Sequence, residues 1–315
     1  MGTTLSIQTP SDFDLARDVC SYGYFLLAPN HWLVDSQTFA RVLEFDAGPA
    51  AVKINQQPTG ALRARFDRTL DRSEQSEARA QIARMFSLDT HADEIVAFHT
   101  LDPRWKKSGR ARLFRSPDVF EDIIKTVTSC NVTWPSTINM NRRLCEVCGR
   151  QSASGVRGFP SAKKLARTRV GTLRGRCRVG YRDQRIVDLA KLYHKGEIDP
   201  VWLEDPGTHD DDVFKFLVSL PGIGPYAAGN IMQLLGRYSR LALDTESLRH
   251  AKSVLAMTGT DSAIMKKLAK HYEPFGAHKF RSYWFELWDF YESKQGPAHT
   301  WDRETVGTAF TASNF

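Results

Sequence analysis

The stretch Leu220-Pro221-Gly222-Ile223-Gly224-Pro225-Tyr226 decides the fold of this chain. The residues that lead into it carry apolar side chains at helical spacing, which gives one apolar stripe: Val213, Phe214, Leu217 and Leu220. Gly222 and Gly224 can take positive φ and so permit a tight reversal, while Pro225 suits the first position of a helix. The stretch therefore predicts two helices joined by a tight glycine turn.

The turn of this predicted hairpin leaves backbone N–H groups exposed. These groups and the start of the second helix favour a phosphate ligand, and contacts of that kind fix the register of a protein on DNA without reading its bases. The alternative is an ordinary corner between two helices, because the same pattern of proline and glycine also occurs in plain turns. The hairpin alone leaves both interpretations open.

A single carboxylate follows the hairpin at Asp244, 18 residues after Tyr226. It stands in Leu241-Ala242-Leu243-Asp244-Thr245-Glu246-Ser247-Leu248, where it is well placed as the N-cap of a third helix. Taken alone, a capping aspartate is structural more often than catalytic, but the two roles can coexist because a capping carboxylate stays ionised and fixed. Glu246 is expected to stabilise the first turn of that helix, with a contact to a pocket as the alternative.

The hairpin and Asp244 together resemble the HhH-GPD superfamily of DNA glycosylases, which is defined by a helix-hairpin-helix of the form LPGIG or LPGVG and a following aspartate. Other segments resemble the 8-oxoguanine glycosylase branch: Thr128-Ser129-Cys130-Asn131 running into Arg143-Leu144-Cys145, Gly158-Phe159-Pro160-Ser161, and Gly180-Tyr181-Arg182. The likeness covers roughly residues 10 to 290 and is clearest in 110 to 250. It implies an α+β, mostly α fold, in which an N-terminal antiparallel β domain is followed by helical glycosylase domains.

The resemblance also implies roles for individual residues. Asp244 would be the catalytic carboxylate. The residues expected at the DNA are Gly222, Gly224, Tyr226, Asn131, Tyr181 and Arg182. The last three of these would fill the gap left by an extruded base and contact its orphaned partner. The candidates for the base pocket, for which packing in the core is the alternative, are Tyr22, Gly23, Tyr24, Trp134, Tyr283 and Trp284.

One position departs from that branch. Its bifunctional members carry a nucleophilic lysine where this chain has Tyr226, and a tyrosine cannot form a Schiff base. The resemblance therefore implies a monofunctional DNA N-glycosylase with little or no lyase activity, which releases an oxidised or alkylated purine and leaves an abasic site. Two alternatives stay open. One is a glycosylase that excises a hypermodified pyrimidine, such as glucosylated hydroxymethylcytosine, from phage DNA in antiviral defence; the other is a non-catalytic DNA-binding protein.

The chain is expected to divide into an antiparallel sheet domain over 1–108, a helical glycosylase core over 109–298 and a C-terminal tail over 299–315. Alternation of apolar and polar residues predicts strands over 39–45, 50–55 and 61–67. Helices are predicted over 73–86, 117–130, 136–148, 161–168, 182–194, 210–220, 225–236, 246–256, 261–271 and 277–292. Ser116 is expected to cap the helix that begins at Pro117.

The composition favours double-stranded DNA as the partner, because the net charge is +7 and the isoelectric point is near 9.2. Basic residues cluster over 104–115 and 163–185, and we expect both clusters to follow phosphates, with a solvated surface as the alternative. There is no run of about 18 apolar residues that would predict a membrane span, and no secretory signal is recognised. We therefore expect a monomer in the cytoplasm, associated with the nucleoid if the source is bacterial.

The five cysteines are irregularly spaced, which argues against a disulfide framework. Cys145 and Cys148 form a CxxC pair without a second pair at a zinc spacing, so we expect them to pack in a helix and to bind no zinc. Some HhH glycosylases carry an iron–sulfur cluster in four cysteines after the hairpin, and no cysteine follows Cys177 here. The family likeness implies no required cofactor, and a structural K⁺ or Na⁺ on the backbone carbonyls of Val218, Leu220 and Ile223.

Overall fold

The computed structural model describes residues 2–306 and has an α+β, mostly helical fold, as the sequence predicts. The strands are β1 Thr4–Ile7, β2 His31–Leu33, β3 Thr38–Leu43, β4 Ala50–Gln56 and β5 Leu62–Phe66. The helices are α1 Leu15–Val19, α2 Arg72–Met85, α3 Ala92–Leu101, α4 Val119–Ser129, α5 Trp134–Cys148, α6 Ala162–Ala166, α7 Val170–Thr172, α8 Asp183–His194, α9 Pro200–Glu204, α10 Asp210–Ser219, α11 Pro225–Leu234, α12 Thr245–Ser253, α13 Asp261–Tyr272, α14 Lys279–Gln295 and α15 Arg303–Val306. Among these described helices none is both long and apolar enough to cross a bilayer.

The strands form one antiparallel sheet in the order β1-β5-β4-β3-β2. In β5 the side chains alternate, with Leu62, Ala64 and Phe66 buried and the two arginines between them exposed. Such alternation is expected when one face of a sheet covers a core and the other faces solvent. The three strands predicted from alternation are confirmed, whereas β1 and β2 were not predicted.

The long helices follow the predicted periodicity, and α10 and α11 form the expected hairpin. The predicted start of α4 is wrong. Asp118, and not Ser116, is its N-cap, because the Asp118 side chain accepts a hydrogen bond from the Glu121 N–H at 2.7 Å. Ser116 is buried, and its N–H donates to Asp122 Oδ1 at 2.9 Å. Five of the described helices, α1, α3, α7, α9 and α15, were not predicted.

Apolar side chains gather in two cores. The first joins the sheet to the last long helices and contains Phe39, Phe114, Tyr272 and Phe285. The second is built from α4 to α11 and includes both cysteines of the CxxC pair, which pack there as predicted. The two ends of the chain therefore share one core, and the candidate site described below lies where the two cores meet.

The predicted tail is only partly within the described residues. Trp301 is buried in the first core, and its indole Nε1 donates to the Gly296 carbonyl at 2.8 Å. Residues 303–306 form α15, and 307–315 lie outside the described residues. The division of the chain at residues 108 and 298 stays a prediction.

One carboxylate fastens the C-terminal helices to each other. Glu286 of α14 accepts hydrogen bonds from His250 Nε2 of α12 at 2.9 Å and from the Tyr272 hydroxyl of α13 at 2.7 Å. The Arg104 guanidinium also pairs with it. This network holds α12 rigidly, and Asp244 lies at the start of that helix.

Candidate active site

The glycine turn joins α10 to α11 and differs in one respect from the expectation. Gly222 has φ of +76°, and a Cβ there would lie 2.4 Å from Arg185 Cδ. Gly224 has φ of −92°, an ordinary value, and caps α11. No atom lies within 4 Å of the position of a Cβ at Gly224. Gly222 therefore makes the reversal, while Gly224 leaves open space in front of the N-terminus of α11.

Asp244 is the N-cap of α12, and its side chain is held in one orientation. Its Oδ1 accepts from the Ser247 N–H at 2.9 Å and from the Ser247 hydroxyl at 3.1 Å. The Tyr283 hydroxyl lies 2.8 Å from Ser247 Oγ. The carboxylate is half-buried. The capping role that the sequence predicted is confirmed, and it fixes the position of the charge.

A cavity of about 500 Å³ opens beside Asp244. Its walls are mainly aromatic: Tyr22, Tyr24, Trp134, Tyr226, Phe280, Tyr283, Trp284, Trp288 and Tyr291. Gly23 lines it as well, so the structure brings all six pocket candidates to one cavity. The only charged side chains among its described lining residues are Asp244 and Glu246. A planar, electron-poor group suits such walls, because aromatic faces carry negative charge density.

The aromatic side chains on one side of the cavity are held by packing and by hydrogen bonds. The Tyr22 ring lies 4.6 Å from the Trp284 ring and 4.8 Å from the Tyr24 ring, measured between centroids. Trp284 Nε1 donates to the Ser21 carbonyl at 2.8 Å, and the Tyr24 hydroxyl lies 2.9 Å from Thr126 Oγ1. This wall is preformed, as small-molecule sites generally are.

Two tyrosines next to Asp244 stay neutral. Burial raises the pKa of Tyr226 and of Tyr283 well above the ordinary value, and the charge of Asp244 raises both further. The two hydroxyls can therefore donate hydrogen bonds, but neither acts as a base at physiological pH. Tyr226 lies where the resemblance implies a lysine, close to the carboxylate.

A second cavity of about 410 Å³ adjoins the first. It brings together the turn glycines, Asn131 and Tyr181. Ser129, Val132, Tyr226, Asp244 and Thr245 line both cavities. Asp244 thus stands at the junction between the aromatic cavity and a groove bordered by the glycine turn.

Two of the three residues expected to fill the gap in the DNA, Asn131 and Tyr181, are exposed at this groove. Asn131 has φ of +51°, a left-handed conformation that asparagine adopts more readily than most residues. Tyr181 is 51% exposed, an unusual position for so large a side chain. The guanidinium groups of Arg182 and Arg185 lie 4.4 and 5.0 Å from the centre of the Tyr181 ring, which stiffens it.

Arg182 does not have the exposed position expected of a DNA contact. It is buried, and its guanidinium donates to the carbonyls of Val127 at 3.1 Å, Asn131 at 3.4 Å and Cys130. Buried arginines with carbonyl partners fix the backbone around them. Arg182 therefore supports the turn that carries Asn131, and the expectation that it contacts the orphaned base is not met by its position.

Sequence reasoning missed Arg185 as an individual site residue. It is exposed on α8, one helical turn after Tyr181, and lies against Gly222 at the groove. The available signal was its position four residues after Tyr181, on the helix predicted over 182–194. Glu246 was considered for a pocket contact, and it does line the aromatic cavity.

The two basic clusters differ from each other. Four arginines of 104–115 pair with carboxylates: Arg104 with Asp102 and Glu286, Arg110 with Glu292, Arg112 with Asp12 and Arg115 with Asp89. Lys106 and Lys107 of the same cluster are exposed. The carboxylates thus engage the four arginines, and contact of this cluster with phosphates stays a prediction. In 163–185, by contrast, most basic side chains are exposed, and this segment ends at Tyr181 and Arg185.

The structure leaves the proposed cation untested. The Leu220 carbonyl accepts from the Ile223 N–H at 3.1 Å, so it is already partly used within the turn. Residues 2–306 contain no group of three or more His, Cys, Asp or Glu side chains that could hold a metal ion. Binding of K⁺ or Na⁺ by the carbonyls of Val218, Leu220 and Ile223 stays a prediction.

Comparison with other proteins gives a likeness of fold. No family model matches the sequence, and no curated protein matches it. The structure is similar to 8-oxoguanine glycosylase/lyase of Clostridium acetobutylicum, with a TM-score of 0.68, 20% identity and coverage of 90% of this chain and 95% of that chain. It is similar to 3-methyladenine DNA-glycosylase of Archaeoglobus fulgidus, with a TM-score of 0.68, 18% identity and coverage of 92% and 99%.

The Clostridium acetobutylicum enzyme in complex with double-stranded DNA, with cytosine opposite 8-oxoguanine, is also similar, with a TM-score of 0.67, 18% identity and coverage of 93% of this chain and 96% of that chain. The TM-scores show a shared fold. The chain therefore has the fold of these glycosylases, and this agrees with the fold that the resemblance in its sequence implies.

Proposed function

We propose that this chain, which has the fold of the HhH-GPD DNA glycosylases, is itself a monofunctional DNA N-glycosylase that releases a damaged purine. One observation carries the proposal: Asp244 stands fixed at the junction of an aromatic cavity and a groove bordered by the glycine turn. The similar solved structures support it, because they are an 8-oxoguanine glycosylase/lyase and a 3-methyladenine DNA-glycosylase, and each covers at least nine-tenths of this chain.

The two cavities suit the two parts of a flipped nucleotide. A base inside a duplex is inaccessible at its sugar carbon, so the nucleotide has to rotate out of the helix. The base would enter the aromatic cavity, while Asn131 and Tyr181 would occupy the space it leaves. The N–H groups around Gly224 would hold a neighbouring phosphate, since the N-terminus of α11 attracts negative charge.

The chemistry follows from the fixed charge of Asp244. As the N-glycosidic bond stretches, the deoxyribose gains positive, oxocarbenium-like character, which a carboxylate beside it stabilises. The same carboxylate can orient a water molecule for attack at the sugar carbon. Ser247 holds Oδ1 and so fixes the carboxylate beside the cavity. The products are the free base and an abasic site.

The proposal that this protein does not cleave the DNA strand depends on Tyr226. Lyase activity of this kind needs an amine that forms a Schiff base with the opened sugar, whereas the side chain next to Asp244 is a half-buried phenol with a raised pKa. Its hydroxyl can contribute a hydrogen bond to Asp244 or to the nucleotide. The proposed reaction therefore ends at base release.

A damaged purine is the substrate that the cavity supports best. Its walls offer large aromatic faces for stacking and, among the described residues, no cationic side chain. A purine that carries positive charge after alkylation gains from both features, because cations are attracted to aromatic faces and to carboxylates. A neutral oxidised purine gains only the stacking, so alkylated purines are the first choice.

Mass spectrometry of released bases tests the proposal. The parent protein is incubated with alkylated DNA, oxidised DNA and phage DNA that contains hypermodified pyrimidines, and alkali then reveals abasic sites. Release of a damaged purine by the parent, lost in Asp244→Asn with DNA binding retained, is the expected result. Release of a pyrimidine alone would show that the substrate is a modified pyrimidine and not a damaged purine. Absence of release from every DNA, despite tight binding, would identify a non-catalytic DNA-binding protein.

The Asp244→Asn variant is a clean test because asparagine caps helices about as well as aspartate. Its amide oxygen can accept from Ser247 as Oδ1 does now, so the fold should persist. The change removes the charge and the acceptor that would serve the sugar and the water. We expect base release to fall by about 10²–10⁴-fold, the usual range for loss of a general base.

A further inference from the structure

Glu246 has surroundings that helix capping does not explain. It lies two residues after Asp244 and lines the aromatic cavity. Its Oε1 accepts from the Tyr291 hydroxyl at 2.5 Å and from Arg249 Nε at 2.7 Å. Arg249 Nη2 also lies 2.5 Å from the same oxygen. Two hydrogen bonds and a close charged contact therefore converge on one carboxylate oxygen.

The donors are themselves fixed. Tyr291 is buried in the first core. The Arg249 guanidinium lies 4.5 Å from the centre of the Phe290 ring, and its Nη1 donates to Ser253 Oγ at 3.0 Å. Oε2 of Glu246, in contrast, accepts no hydrogen bond from the residues that the structure describes. The carboxylate is thus oriented with one oxygen engaged and the other free for an occupant of the cavity.

An ordinary ion pair on a helix surface looks different in this same chain. Arg142 and Glu146 pair at 2.5 Å on α5, but both side chains are about half exposed, and exposed pairs of this kind contribute little to stability. The Glu246 and Arg249 side chains are 20% and 10% exposed, and a buried tyrosine joins them. Burying the Glu246 carboxylate costs free energy, and a hydrogen bond from a ligand in the cavity would offset that cost.

We propose that Glu246 is the specificity-determining residue of the pocket and selects damaged purines that keep an exocyclic amino group. This inference rests on the proposed glycosylase function. The free Oε2 is an ionised acceptor, so it favours a base edge that presents an amino N–H and disfavours an edge that presents a carbonyl oxygen. The substrate class is therefore adenine- or guanine-derived damaged purines, in preference to their deaminated counterparts.

The isosteric variant Glu246→Gln gives a sharp test because Tyr291 and Arg249, which form a clamp on Oε1, determine how the new amide must point. Tyr291 and Arg249 offer only donors at the Oε1 position, so the amide oxygen has to turn towards them. The amide NH₂ then takes the place of Oε2, and the atom facing the cavity changes from an acceptor to a donor. The preference should shift from amino-bearing towards carbonyl-bearing purines.

The measurement is kcat/KM for base release from duplexes that carry 8-oxoguanine, 7-methylguanine or 3-methyladenine, or the deaminated counterpart of each. For the parent we expect the amino-bearing member of a pair to be preferred by about 10–100-fold, the range of one hydrogen bond to a charged group. Glu246→Gln should abolish or invert that ratio. Glu146→Gln, which removes a carboxylate from the exposed pair on α5, should leave the ratio unchanged.

The outcomes separate this inference from the function beneath it. If the parent releases no base, the glycosylase proposal fails. If it releases bases but Glu246→Gln keeps the parental ratio, or loses activity equally on both members of a pair, Glu246 does not select the base. If Glu246→Gln does not fold, Tyr291→Phe serves as the second test of the inference. It removes one donor of the clamp, so the ratio should fall, and an unchanged ratio there would also overturn the inference.

Discussion

The two glycines of the turn should behave in opposite ways when each is replaced by alanine. At Gly222, φ of +76° is a left-handed conformation that costs a residue with a Cβ about 1–2 kcal/mol. The new methyl group would also lie 2.4 Å from Arg185 Cδ, but that exposed side chain can swing aside. Gly222→Ala should therefore lower the free energy of unfolding by about 1–2 kcal/mol.

At Gly224 the same change should leave stability nearly untouched. The φ of −92° suits alanine, and no atom lies within 4 Å of the added Cβ. The methyl group would instead occupy the space in front of α11 where we expect the phosphate. Loss of one backbone hydrogen bond to a charged group is worth about 1.5–3 kcal/mol, which weakens DNA binding by about 10–100-fold.

Calorimetry and fluorescence anisotropy measure the two quantities. The DNA is a duplex with a stable tetrahydrofuran analogue of an abasic site, so that no knowledge of the base is needed. The expected pattern is weaker binding at parental stability for Gly224→Ala, and reduced stability for Gly222→Ala. Binding of Gly224→Ala within about twofold of the parent would show that no phosphate sits at this turn, and the reasoning about the hairpin would fail.

Three further predictions follow from single residues. Burial opposes the charge of Glu286, but its three hydrogen bonds outweigh burial and lower its pKa from 4.5 to about 2. The resulting stabilisation is complete above pH 4.5 and is lost as the pH falls through 2. Glu286→Gln should therefore reduce stability at pH 7 and flatten the acid limb in calorimetric scans. Tyr226→Lys should give a complex with damaged DNA that borohydride traps, whereas the parent gives none. Tyr181→Ala should weaken binding to the abasic duplex in anisotropy without lowering the melting temperature, because that side chain is 51% exposed.

Local patterns carried most of what could be predicted from the sequence. The hairpin and the cap at Asp244 depend on a few consecutive residues, and the structure has both. The strand β2 was not predicted because its three residues are too few to display alternation, whereas the alternation of Thr4-Leu5-Ser6-Ile7 in β1 was available and was overlooked. The start of α4 was misplaced because a serine before a proline is a good local signal, and only the folded chain shows that Asp118 makes the capping bond.

Features that depend on distant partners could not be read from the chain. The arginines of 104–115 look like a basic patch until Asp12, Asp89, Glu286 and Glu292 arrive from other segments and pair with them. Arg182 looked like a DNA contact, and its burial under the turn of Asn131 depends on the packing of α8 against α4. Exposure is a property of the assembled chain, so sequence could nominate these residues but not orient them.

The most direct test of the central claim, that Asp244 stabilises positive charge on the deoxyribose of a flipped nucleotide, needs no knowledge of the base. It compares the affinity for a duplex with a cationic pyrrolidine in place of one deoxyribose with the affinity for the neutral tetrahydrofuran duplex. Two unit charges about 4 Å apart attract by about 4 kcal/mol at an effective dielectric constant of 20. We predict that the parent binds the cationic duplex at least about tenfold more tightly, and that Asp244→Asn removes the difference. Equal affinities in the parent, or a preference that survives in Asp244→Asn, would contradict the assignment.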